Sequence, residues 1–196
     1  NQPTFVGTAA PFALVQVFTR RADQLAPVPF GRTVAGADGS WLIAAAGPLA
    51  DGAYQVSAVV TPPTGSPATN PLLPGLVIDT VAPLVSGLSY DAAANAVTVT
   101  FRDDRAGLDV VTLTNARNYS LLGASGRAPA ATALPRSITP RINAELPLDA
   151  TVTLGSRLPR GGVRSIRVIS GGVTDQACNA LNGQGAPGTN YLGTLA

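Results

Sequence analysis

The residue types that carry most enzyme chemistry are missing from this chain. Its 196 residues include no histidine and no lysine, all thirteen basic residues are arginine, and Glu145 is the one glutamate. Without histidine there is no Ser-His-Asp or Cys-His relay to activate a nucleophile. Without lysine there is no Ser-Lys dyad and no Schiff base. A single cysteine, Cys178, leaves no set of soft ligands for zinc and no internal disulfide. What remains is carboxylate chemistry. Asp103-Asp104 is the one adjacent acid pair, but general acid–base work needs two acids in different environments inside a pocket. Arg105 follows directly, so the segment reads as a solvated loop. No catalytic, cofactor-binding or metal-ligating residue is assigned, and the chain is expected not to be an enzyme.

The elements around these residues read as strands. Tyr54, Val56, Ala58 and Val60 alternate along one face, as do Trp41 and Ile43 after the turn Ala37-Asp38-Gly39-Ser40. Phe12 to Phe18 is apolar on both faces and suits a central strand. Phe5-Val6 and Leu76-Val77-Ile78 supply a first and a last strand, and Thr61 to Pro74, rich in proline, reads as a long loop or edge. In the second half Val97, Val99 and Phe101 alternate with Thr98, Thr100 and Arg102. Tyr119 and Leu121, Val152 and Leu154, and Ile166 and Val168 repeat the rule. Glycine and proline number 21 and 17 and fall mostly between these runs, marking turns. No stretch carries sustained helical periodicity, although Asp103 to Arg117 has room for one short turn. Strands this short point to β-sandwiches.

Ile78-Asp79-Thr80-Val81-Ala82-Pro83 divides the two strand-rich halves. Pro83 fixes its own φ and biases Ala82 toward extended backbone, so the connector is short and semi-rigid. The expected organisation is one sandwich over 1–82 and a second over 83–196, in an elongated particle. The net charge of +2 is spread thinly, with no clustered basic stripe of the kind nucleic acid requires. No apolar run reaches the length of a membrane-spanning helix. The start Asn1-Gln2-Pro3 reads as a segment of a longer chain.

Gly7-Thr8-Ala9, Ala37 to Trp41, Leu49-Ala50-Asp51-Gly52-Ala53-Tyr54-Gln55-Val56 and Ile78 to Pro83 occur in that order. Together they make residues 7–83 resemble the bacterial immunoglobulin-like (Ig-like) repeats of large adhesins and biofilm-associated proteins. Asn95 to Phe101, Asn118-Tyr119-Ser120-Leu121 and Gly172 to Gly183 make the second half resemble a different bacterial Ig-like type. The resemblance implies an all-β pair of tandem immunoglobulin-like β-sandwiches joined by a short proline-ended linker. It implies a spacer, stalk or adhesive repeat of an extracellular or surface protein, whose partners are neighbouring Ig-like repeats and a protein or glycan ligand. The alternatives are an accessory binding module of a secreted enzyme and a strand-exchanging subunit of a surface assembly.

Related repeats bind Ca²⁺ at their junctions, and Asp79 matches the connector acid. The acid such repeats place after the Tyr54–Val60 strand is absent from Val59-Val60-Thr61-Pro62-Pro63-Thr64. Asp103, Asp104 and Asp175 are the acids the second half could offer. A Ca²⁺ titration giving no heat and no rise in melting temperature would remove the idea. The family pattern usually carries Gly where Cys178 stands, so Cys178 is expected in a half-buried loop whose turn is altered or strained. Trp41 and Tyr54 are expected in the core, against the reading of an exposed sugar-binding platform.

Overall fold

The computed structural model describes residues 1–70, 73–123, 137–142, 148–155 and 163–195. The chain divides into two compact units, Asn1–Asp79 and Thr80–Ala196.

In the first unit, β1 (Thr4–Thr8) pairs antiparallel with β4 (Ser40–Ala44) as a two-stranded sheet. The facing sheet runs β3 (Val28–Val34), β2 (Leu14–Arg21), β5 (Gly52–Thr61), with β6 (Ala68–Thr69) and β7 (Leu73–Ile78) both paired to the far side of β5. The Thr61–Pro74 stretch is therefore partly strand, with residues 71 and 72 outside the described set. Phe12 to Phe18 departs from its expected form. Strand β2 begins at Leu14 and buries only one face, through Val15, Val17 and Thr19. Phe12 precedes it, exposed, with a left-handed φ of 61°. The strand is nonetheless central in its sheet, and the core is small: Val15, Val17 and Ile43, flanked by half-buried Phe5, Phe30, Trp41, Val56, Ala58 and Val60. Trp41 lies against Gly7, where an added Cβ would stand 2.5 Å from the indole ring.

The second unit packs the sheet β11 (Ser137–Ile142), β12 (Asp149–Gly155), β9 (Ala96–Arg102), β8 (Leu84–Asp91) with the sheet β10 (Tyr119–Leu122), β13 (Ser165–Val168), β14 (Tyr191–Thr194). The alternation Val97, Val99, Phe101 meets Ala150, Val152 and Leu154 in register, Val99 opposite Val152. Their buried face packs with Tyr119, Leu121, Ile166 and Val168 in one apolar cluster. Phe101 and Tyr119 meet edge to face, ring centroids 6.4 Å apart. Among the described residues the one α-helix, α1 (Val110–Leu113), is capped by the Asp109 carboxylate accepting from Val111 N at 2.9 Å.

Tyr119 shows how this core handles a polar atom. Its hydroxyl donates to Leu113 O at 2.7 Å within the apolar cluster. Tyr54 does the same in the first unit, donating to Ala50 O at 2.8 Å. Both bonds have the upstream reach of a tyrosine corner. Burial raises the Tyr119 pKa well above the usual phenol value. The unfolded chain therefore ionises first, and the contribution to stability is full below about pH 10 and falls as pH rises beyond it. Tyr119→Phe should cost the second unit about 1 kcal/mol at neutral pH. It should also flatten part of the stability loss above about pH 10, which urea melts at pH 8 and pH 11 will show.

Candidate functional site

The sequence-named acids fall into three surroundings. Asp104 is half exposed and pairs with Arg105 at 3.3 Å, as a solvated loop would have it. Asp79 is the last residue of the first unit and is buried. Asp103 and Asp175 are both buried in the second unit, and their carboxylate oxygens lie within 4.8 Å of each other. Asp103 follows β9, and Asp175 lies in the loop after the 3-10 turn Ser170–Gly172.

Backbone donors hold both carboxylates. Asp103 Oδ2 accepts from Gly107 N at 2.7 Å and Arg105 N at 3.2 Å, wrapping the loop around itself. Gly107 makes that wrap possible at a left-handed φ of 85°. Asp175 accepts from Asn179 N and Asn179 Nδ2, each at 2.8 Å. The two loops are then stitched together: Gln176 N donates to Gly107 O at 2.7 Å, Asp109 N to Thr174 O at 3.0 Å, and Leu108 bridges Asp175. Asn179 Nδ2 also reaches Val81 O at 3.3 Å, and Asn182 N donates to Pro83 O at 2.8 Å. The start of the second unit is thus fastened to the Asp175–Asn182 loop.

Chemically, two close carboxylates can hold a hard cation. Ca²⁺ takes about 6 to 8 oxygen ligands, several of them carboxylate, so the donor type of Asp103 and Asp175 suits it and further oxygens would be required. The same pair, braced by N–H groups, serves equally as a loop clasp.

Two sequence motifs that looked separate are joined in space. Asn118 is buried beneath Gly172; its Nδ2 donates to Thr112 O at 2.8 Å and also to Gly172 O. An added Cβ on Gly172 would overlap the Asn118 carboxamide. The residues quoted for a family resemblance therefore do structural work, and neither offers a reactive group to solvent.

Cys178 is exposed, contrary to the half-buried position expected, and takes a left-handed φ of 66°. The backbone that a glycine usually provides is kept, and an L-residue is forced into it. Left-handed backbone costs a residue with a Cβ about 1–2 kcal/mol, and glycine gives back about 0.5–1 kcal/mol in unfolded-chain entropy. Cys178→Gly should therefore stabilise the second unit by about 0.5–1 kcal/mol, readable as a higher urea midpoint with an unchanged slope. Of the expected core aromatics, Tyr54 is buried, whereas Trp41 is only half buried and lines a cleft with Phe5 and Val56.

Residues 1–80 match the family model described as a bacterial Ig-like domain. No curated protein matches the chain. Among the described residues no helix is long and apolar enough to cross a membrane. The antiparallel strands of the first unit and its tyrosine bonded to Ala50 O agree with the family match, which covers 80 of the 196 residues.

Proposed function

We propose that this chain is a non-catalytic spacer module of a bacterial surface or secreted protein, a pair of repeats that holds other parts of its parent protein at a distance. The family match over the first unit carries the reading: an Ig-like module is structural in kind, and bacterial examples are often extracellular. It is supported by the second unit's own apolar cluster, which gives that unit the means to fold and bear load by itself. It is also supported by what the titratable side chains do. Asp103, Asp109, Asp175 and Asp38 each accept from nearby backbone N–H groups and so brace turns.

Stretching one molecule between its termini tests the proposal. A spacer should unfold in two steps, one per unit. Residues 1–79 and 80–196 correspond to contour lengths of roughly 28 nm and 41 nm at about 3.5 Å per residue, before the folded end-to-end distances are subtracted. A single step releasing the whole length, or extension with no resisting step, would overturn it.

A further inference from the structure

The first unit has an uneven sandwich, and the unevenness leaves a strand-shaped vacancy. Its upper sheet holds two strands, β1 and β4, over a lower sheet ordered β3, β2, β5 with β6 and β7 beyond. Strand β4 sits over β3, because an added Cβ on Gly31 would touch Ile43 Cγ2. Strand β1 lies beside β4, with Phe5 edge to face against Phe30 of β3 and sharing a cleft with Val17 of β2, and among the described residues the two upper strands leave Val56, Ala58 and Val60 of β5 half covered. Burial follows this layout. The inward residues of β2, Val15 and Val17, are fully buried, while Val56, Ala58 and Val60 of β5 are only half buried. An apolar cleft of about 180 Å³ runs along the side of β1, lined by Phe5, Val17, Trp41, Val56 and Ala58.

The edge of β1 beside this cleft has its backbone groups available. Ala9 N donates to Gly39 O and Ala45 N to Pro3 O, so the hydrogen-bonded pairs of the β1–β4 ladder fall on residues 3, 5, 7 and 9. By the alternation of an antiparallel ladder, the N–H and C=O groups of Thr4, Val6 and Thr8 point away from β4. Among the described residues β1 pairs with β4 alone. Natural sheets guard such edges with charge, proline or a bulge. Here Asn1 to Thr19 contains no charged side chain, and β1 itself has neither proline nor bulge.

We propose that the free edge of β1 accepts an extended strand donated from outside residues 1–196, completing the upper sheet. The donor is about five residues long, uncharged, and apolar at alternate positions, since one face must cover Val56, Ala58 and Val60. The lower sheet dictates a lone strand as occupant. Strands β5, β6 and β7 extend past β1, and adjacent strands are about 4.8 Å apart. A folded second copy approaching β1 would bring its own lower sheet into the layer those strands fill. The inference is independent of the spacer reading, which survives its failure.

The test uses the full 196-residue chain and an uncharged synthetic peptide, acetyl-Ala-Val-Thr-Val-Thr-Phe-amide, which copies residues 96–101 of β9 and has the required alternation. Trp41 is the single tryptophan and lines the cleft, so its emission reports occupancy. The expected result is a saturable blue shift, a higher melting temperature for the first unit, and no binding by the fully N-methylated peptide. Val6→Pro removes one outward donor and no β1–β4 hydrogen bond, and should weaken binding about tenfold or more. Absence of a saturable shift, or equal binding by the N-methylated peptide, would overturn the proposal. So would self-association of the chain without peptide that Val6→Pro abolishes, which would assign the edge to a second copy. Should Val6→Pro fail to fold, the comparison of the two peptides still decides.

Discussion

Phe101→Ala should lower the stability of the second unit by about 4 kcal/mol and leave the melting of the first unit where it is. Phe101 is fully buried on β9 and meets the ring of Tyr119 at 6.4 Å. Removing a buried phenylalanine loses its transfer free energy and leaves a cavity, together about 3–5 kcal/mol. The cost falls on the cluster containing Val99, Val152 and Ile166. The first unit draws on a separate set, Val15, Val17 and Ile43. Calorimetry of the full chain should show one transition moving down by roughly 15 °C and the other fixed. Two transitions shifting together would contradict the modular reading, since a spacer's repeats must tolerate damage independently.

Gly172→Ala carries the second large effect, and Gly171→Ala is its internal control. A methyl group on Gly172 would collide with the Asn118 carboxamide, which is buried and tied to Thr112 O and Gly172 O. Asn118 cannot retreat without leaving those carbonyls unpaired. Overpacking of this kind costs about 1–3 kcal/mol, and loss of a buried hydrogen bond adds about 1–3 kcal/mol more. A total near 3 kcal/mol is expected for Gly172→Ala, against less than about 0.5 kcal/mol for Gly171→Ala, whose Cβ would meet nothing within 4 Å. Combining Gly172→Ala with Asn118→Ala should cost less than the sum of the two, because the colliding partners are removed together. Urea denaturation of the four variants measures this, and additivity within about 0.3 kcal/mol would refute the contact as the cause.

The strands were legible because their signal is local. In β9 the period-two pattern of Val97, Val99 and Phe101 survives into a fully buried face. Phe12 shows the limit. The stretch from Phe12 to Phe18 carries apolar residues on both faces, yet a left-handed turn at Phe12 starts the strand two residues later and puts the ring in solvent. Hydrophobicity alone cannot separate a turn residue from a buried one. Trp41 fails for a related reason: its alternation was correct, but the strand that would cover its neighbourhood is not part of the described fold.

The acids show the same division. Asp103 and Asp175 are 72 positions apart in sequence, and no spacing rule pairs them. They meet because β9 ends where the loop after Ser170–Gly172 turns back, and because Gly107 and Asn179 fix each carboxylate's own loop. The Asn179 contribution was hidden for lack of a signal: a loop asparagine reads as a turn former until its partner is known.

By itself the sequence determined the chemistry this chain lacks and the class of fold it adopts. Residue inventory is independent of conformation, and strand alternation arises from the two-residue repeat of an extended backbone. The tertiary structure decided which separated residues become neighbours: Asn118 with Gly172, Asp103 with Asp175, and the bare edge of β1 beside half-covered β5. Those neighbourhoods depend on sheet order and loop closure, which join distant positions through packing and hydrogen bonds that no local pattern encodes.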